Sequence, residues 1–138
     1  MTAADTQVFV YGSLLSGLHN HYLLEGAIFL GPASTQPAFQ LFDLGPHPAA
    51  VCATPFNGQE SEGGYALRGE VYSVSESTLG QLDLLEAHPS YYRREVIELQ
   101  NGASAWIYLL PQAPPGRPEV VTGDWRAYLD QRLNRPSG

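Results

Sequence analysis

Two short stretches of this chain hold the residues whose types and spacing could do chemistry. Near the start, the strand formers Val8-Phe9-Val10-Tyr11 break into Gly12-Ser13-Leu14-Leu15. A strand end opening into successive unpaired amides forms a concavity for a carboxylate or a developing oxyanion. Much further along, Glu86 stands where a leucine-rich helix should end. On a helix from Ser77 to Ala87, Leu79, Leu82 and Glu86 fall on one stripe, with Asp83 at its margin. A carboxylate on an apolar stripe loses hydration, and in the last helical turn it meets unpaired carbonyls. Both effects raise its pKa toward that of a general acid/base. Backbone donors and a proton acceptor are the parts of a small site that binds an anionic group and moves a proton. Each part also has a plainer reading: glycine after a strand often only turns the chain, and a glutamate at a helix end often points into water.

Other chemistries find less support. Ser13 as a nucleophile lacks the Gly-x-Ser-x-Gly elbow, and no His/Asp pair can be assigned to it by position. His19 and His21 miss the i, i+4 spacing of a helical metal pair, so these two, with His47 and His88, are expected in surface or capping roles and no metal site is expected. Cys52 lies in an apolar run and is expected as a small core residue. Arg93-Arg94 is expected to pair with Glu95 or Glu98 across a hairpin. All seven basic residues are arginine. Without a lysine there is no phosphate-loop lysine, no Schiff-base cofactor and no lysine base. No cofactor motif is present, and none is expected.

A length of 138 residues suits one domain, expected over 1–138, with a core that needs no metal or disulfide. Hydrophobic residues at 43% and charged residues at 15% mark a globular chain, and a formal net charge of −7 repels a phosphate backbone. The expected partner is therefore a small molecule, with no nucleic acid and no membrane. The short polar start, Met1 to Gln7, and the absence of a run near ~20 apolar residues lead to the expectation of a soluble cytoplasmic protein. The oligomeric state is left open.

The elements that must position these residues read as a strand from Gln7 to Tyr11, two helical turns over His19–Gly26, and strands over Ala27–Thr35, Ala38–Leu44 and Ala49–Thr54. Pro55–Gly64 reads as a loop and Leu67–Val74 as a half-buried strand. A helix capped by Ser75 or Ser77 then runs to about Ala87, where Pro89 forbids its continuation. Tyr91–Gln100 and Ala103–Leu110 form a hairpin around Asn101-Gly102, a pair suited to a two-residue turn. A last helix spans Thr122–Leu133, capped by Thr122 or Asp124. Strands and helices do not alternate regularly, which disfavours a doubly wound parallel sheet. The expected fold is α+β: a small mixed β-barrel or curled sheet with a few flanking helices.

Several ordered blocks, Val8-Phe9-Val10-Tyr11-Gly12-Ser13-Leu14, then Gly69-Glu70-Val71-Tyr72, then Leu82-Asp83-x-x-Glu86-x-x-Pro89-x-x-Tyr92-x-Arg94, resemble the γ-glutamylcyclotransferase-like family, especially its small bacterial members and the γ-glutamylamine cyclotransferases. The resemblance implies a mixed α/β structure around a small barrel. It implies Glu86 as the acid/base and Tyr11, Gly12, Ser13 and Leu14 as the loop that holds a γ-glutamyl group. The implied reaction is cyclisation, in which the substrate's α-amine attacks its own γ-carbonyl, expels an amine and leaves 5-oxoproline, with no cofactor. Tyr92 matches a recurrent family tyrosine and is expected to line the pocket; Tyr108 is a further candidate whose ring could equally pack on the core. Where other branches carry asparagine or threonine around the glycine loop, this chain has Ser13-Leu14-Leu15, which leaves the substrate open. The rival reading is a binding module that keeps the pocket for an acidic metabolite without turnover.

Overall fold

The computed structural model describes residues 6–53 and 64–133; the expected loop Pro55–Gly64 lies outside the described residues except for Gly64. The apolar run at the start becomes β1 (Thr6–Val10), the middle strand of five. Its neighbours are β5 (Arg68–Val74), antiparallel with Val8 opposite Tyr72, and β7 (Ser104–Leu109), parallel with Val8 beside Trp106. β2 (Ile28–Ser34) and β6 (Arg93–Glu98) complete the order β2-β5-β1-β7-β6 as its edges. A central strand covered on both faces needs apolar residues at successive positions. Accordingly Val8 and Val10 enter one core with Leu14 and Leu82, while Phe9 and Tyr11 enter a second with Leu41 and Trp125.

β3 (Phe39–Asp43) and β4 (Pro48–Cys52) form a separate antiparallel pair. The amide of Leu110, just past β7, donates to the Ala50 carbonyl at 2.9 Å and brings β4 against the end of the main sheet. The structure is thus the expected α+β arrangement with a curled sheet and two helices; closure into a barrel is not formed by the pairings among the described residues.

Helix α1 (Glu76–Leu85) is capped by Ser75, whose hydroxyl accepts from the Thr78 amide at 3.1 Å. It buries Leu82 completely, with Leu79 packed beside it. Helix α2 (Trp125–Leu133) starts where the Asp124 carboxylate accepts from the Ala127 amide, so Asp124 is its cap. The expected helix over His19–Gly26 shrinks to one 3₁₀ turn at His21–Leu24, ended by Gly26 at φ +88°. The hairpin is where the sequence places it, but its turn is longer. Leu99 pairs with Ala103, the Gly102 amide donates back to the Leu99 carbonyl, and of the two turn residues only Gly102 has a positive φ. A two-residue type I′ turn would need positive φ at both; the chain instead uses a three-residue loop with glycine in the left-handed position.

Candidate active site

The site begins where β1 ends. The Tyr11 hydroxyl donates to the Tyr108 carbonyl at 2.6 Å and accepts from the Ala50 amide at 3.1 Å, so one buried ring pins β1, β7 and β4 together. The next residue has to be glycine, because a Cβ at Gly12 would lie 2.7 Å from Cδ and Cγ of Pro48. The loop then folds back on itself. The Leu15 amide donates to the Gly12 carbonyl, Asn20 donates through its amide to the Ser13 carbonyl and through Nδ2 to the Ser13 hydroxyl, and Ser16 donates to Glu70 through both its amide and its hydroxyl at 2.9 Å. These contacts leave the amides of Gly12, Ser13 and Leu14 without a hydrogen-bond acceptor among the described residues.

The other half comes from the end of α1. Glu86 is its C-cap, donating its amide to the Leu82 carbonyl and accepting at its own carbonyl from the Tyr92 amide. Ala87 follows at φ +53°, a left-handed conformation that lets the chain reverse toward β6. Asp83 ties this reversal down. It accepts a bidentate pair of bonds from Arg94 at 2.9 and 3.0 Å and a third from the Tyr108 hydroxyl at 2.7 Å, while Arg94 lies 4.4 Å over the Trp106 ring. The Arg94 amide also donates to Nδ1 of His88.

Between the two halves lies a cavity of about 170 Å³. Its wall takes Tyr11, Gly12, Ser13 and Leu14 from the loop, Leu85, Glu86 and Ala87 from the helix end, Tyr91, Tyr92 and Tyr108 from the hairpin side, and Asn20, His47 and Pro48 around them. Every residue singled out in the sequence as a site candidate therefore lines this one cavity. Burial pushes the Glu86 carboxyl up to about 7, and no hydrogen bond or ion pair among the described residues reaches it. Burial also raises the phenols of Tyr11, Tyr92 and Tyr108, and the nearby Glu86 charge adds to the rise in each. These tyrosines are neutral donors already engaged: Tyr92 donates to the Pro48 carbonyl at 2.9 Å and lies 3.2 Å from Nδ1 of His47. A proton carrier poised near neutrality beside unengaged amides can do acid/base work on a substrate carrying an anionic group.

Several expectations need correction. Arg94 pairs with Asp83 rather than with Glu95 or Glu98, because its side chain runs over Trp106 toward α1. Cys52, at the last position of β4, is exposed rather than buried. His47, expected at the surface, stands on the cavity wall with its ring beside Tyr92. Sequence reasoning also passed over Asn20 and Glu70. Glu70 is 7% exposed and accepts from Ser16, from the Tyr72 hydroxyl at 3.0 Å and from Arg126 at 3.4 Å. A carboxylate placed directly before the apolar pair Val71-Tyr72 in a sheet strand was the available signal for Glu70; for Asn20 there was none. No cluster of three metal-binding side chains exists among the described residues.

A family model described as "Gamma-glutamyl cyclotransferase, AIG2-like" matches residues 8–127. The chain belongs to this family. Among its relatives, a Vibrio cholerae protein provisionally named a gamma-glutamylcyclotransferase is 42% identical over 118 residues, covering 86% of this chain and 93% of its own length. The gamma-glutamylcyclotransferase family protein YtfP of Escherichia coli is 35% identical over 119 residues, covering 86% of this chain and 95% of its own. The solution structure of YtfP superposes with a TM-score of 0.63 at 33% identity, over 87% of this chain and 96% of that one. An uncharacterized protein of Pyrococcus horikoshii superposes with a TM-score of 0.73 at 26% identity, over 96% of this chain and 100% of that one. Membership of the γ-glutamylcyclotransferase family thus joins a cavity that holds an acid of raised pKa.

Proposed function

We propose that this protein is a γ-glutamyl cyclotransferase that converts a γ-glutamyl amine or amide into 5-oxoproline and a free amine, with Glu86 as the general acid/base. The observation that carries the reading is the Glu86 carboxyl, held near 7 by burial and facing a cavity whose opposite wall carries the amides of Gly12, Ser13 and Leu14. An acid half-protonated near neutral pH both takes and returns protons.

The substrate brings its own nucleophile at five-membered-ring distance, so the protein has only to fold it, stabilise charge and carry protons. The α-nitrogen forms a bond to the γ-carbonyl carbon, and the carbonyl oxygen becomes an oxyanion received by loop amides. The bond from that carbon to the leaving nitrogen then breaks. The α-nitrogen begins as an ammonium and ends as a lactam N–H, shedding two protons; the leaving nitrogen gains two and departs as an ammonium. Glu86 carries them in turn. Tyr11, Tyr92 and Tyr108 shape the wall around the glutamyl chain.

The test is to incubate purified protein with a panel of γ-glutamyl amines and amides and measure 5-oxoproline. Turnover by the wild type with loss of about 10²–10⁴-fold in Glu86→Gln is expected for a positioned acid/base. Full activity in that variant removes Glu86 from the mechanism. Free glutamate as product points to hydrolysis, and thermal stabilisation by glutamate-like ligands without product points to a binding module.

A further inference from the structure

The glycine loop has a second side. Leu14 lines the cavity that holds Glu86, while its neighbour Leu15 lines another, of about 300 Å³, between the start of β5 and the first turns of α2. Among the described residues the two cavities share no lining residue. Leu15 and Glu70 are buried in the second one, and Arg68 and Asp130 stand exposed around it. Its wall carries three carboxylates and two guanidinium groups, and most of them differ in how far they are engaged. Glu70 is taken up by Ser16, Tyr72 and Arg126, and Asp124 by the Ala127 amide it caps. Arg126 spends only Nη2, on the Ser16 carbonyl at 2.6 Å, the Ser16 hydroxyl at 3.1 Å and Glu70 at 3.4 Å. Its Nε and Nη1, the whole guanidinium of Arg68 and the carboxylate of Asp130 have no partner among the described residues.

Two open cationic groups and one open carboxylate therefore surround a single concavity. A lone anion entering it would meet the acidic side chains as well, and a lone cation would meet both arginines. A ligand bearing both charges answers both sets. We infer that this cavity is a second ligand site, for the zwitterionic head of a free α-amino acid, with its carboxylate on Arg68 and Arg126 and its ammonium on Asp130. Leu15 and Pro32 on the wall suit an aliphatic side chain. Occupation reaches the catalytic cavity through Arg126. A carboxylate on its open nitrogens fixes the guanidinium that donates to the Ser16 carbonyl, and Ser16 closes the loop that carries the amides of Gly12, Ser13 and Leu14. The amino acid thus acts as an effector that firms the loop from behind.

Calorimetric titration of the full-length protein with L-leucine tests the site, alongside isocaproate, which lacks the ammonium, and isoamylamine, which lacks the carboxylate. L-Leucine should bind at least about tenfold more tightly than either, the worth of a charged hydrogen bond. Arg68→Gln and Asp130→Asn, both on exposed side chains, should each weaken L-leucine by a similar factor, whereas Glu86→Gln should leave its affinity unchanged. Deuterium exchange over residues 12–18 should slow several-fold at saturating L-leucine. No binding, equal binding of the three compounds, or full affinity in either Arg68→Gln or Asp130→Asn overturns the site. Unchanged exchange in the loop with binding intact overturns the coupling. None of these readouts depends on turnover, so the cyclotransferase reading stands or falls separately.

Discussion

Glu70 and Glu86 are two glutamates on opposite sides of the glycine loop, and their surroundings have pushed them in opposite directions. Burial pushes both upward. At Glu70 that push is more than offset by hydrogen bonds from the Ser16 amide, the Ser16 hydroxyl and Tyr72 and by the charge of Arg126, so its pKa lies below the ordinary carboxylate value. Glu86 has no such donors among the described residues, and its pKa rises to about 7. The residue type is shared; the number of donors decides the role. A carboxylate with every lone pair engaged is a strut, and Glu70 holds the loop in place through Ser16. A carboxylate left open to a cavity keeps its proton exchangeable, which a general acid/base requires.

The contrast can be broken most directly by removing each charge while keeping the shape. Glu86→Gln carries the largest expected effect, the loss of turnover described above with the fold retained. Glu70→Gln comes next and should behave differently. The amide nitrogen now faces either the Ser16 amide and the Tyr72 hydroxyl or the Ser16 hydroxyl and Arg126, so at least one donor loses its acceptor, and the variant should lose about 1–3 kcal/mol of stability in denaturant unfolding. Because Glu70 is a positioning residue, KM should rise more than kcat falls, and the pH profile of kcat should keep its shape. A pH profile that shifts in Glu70→Gln would mean that Glu70 takes part in proton transfer.

The pH dependence of stability sharpens the contrast further, because the two groups act in different windows with opposite slopes. Glu70 has a lowered folded pKa, so its stabilisation is present above its unfolded value of about 4.5 and is lost as pH falls through the folded value. Glu86 has a raised one, so the folded state holds a proton that the unfolded state has released between about 4.5 and 7, and stability falls as pH rises across that interval. Thermal unfolding of Glu86→Gln against wild type should show a difference that grows in the variant's favour from pH 5 to pH 8 and then levels, on the order of 1–2 kcal/mol after allowance for the partial exposure of the group. A difference that is flat across this range would remove the raised pKa.

The line between what could and could not be read from the chain follows the same physics. β1, α1, the hairpin, the glycine loop and Glu86 were legible because each rests on local pattern: an apolar run, a leucine stripe, a turn dipeptide, a glycine at a strand end; Tyr92 and Tyr108 were reached through the family resemblance instead. Three failures were matters of tertiary contact. Arg94 was assigned to a neighbour across its hairpin because cross-strand pairing is the local expectation, whereas the bond to Asp83 depends on how α1 packs on the sheet. His47 reached the cavity because Pro48 and β4 are pressed against the glycine loop, a contact that no periodicity encodes. Cys52 was placed inside by its apolar neighbours, but it is the exposed end of β4. The three-residue hairpin loop shows a smaller limit: Asn-Gly marks a turn without fixing its length.

Tyr92 gives the finest test of the view that donor count sets role, and the smallest expected effect. It lines the cavity near Glu86, and a tyrosine so placed invites assignment as a second acid/base. Its hydroxyl, however, already donates to the Pro48 carbonyl at 2.9 Å and meets His47 at 3.2 Å, and burial raises its pKa further from neutrality. Tyr92→Phe should therefore cost about 1 kcal/mol of stability, the worth of one buried hydrogen bond. The loss should show as a slightly looser seat for Pro48 and the loop, with KM rising a few-fold and kcat nearly unchanged. A fall in kcat of about 10²-fold or more, the range of a lost acid/base, would show instead that the Tyr92 hydroxyl leaves Pro48 during turnover and that the cavity works with two proton carriers rather than one.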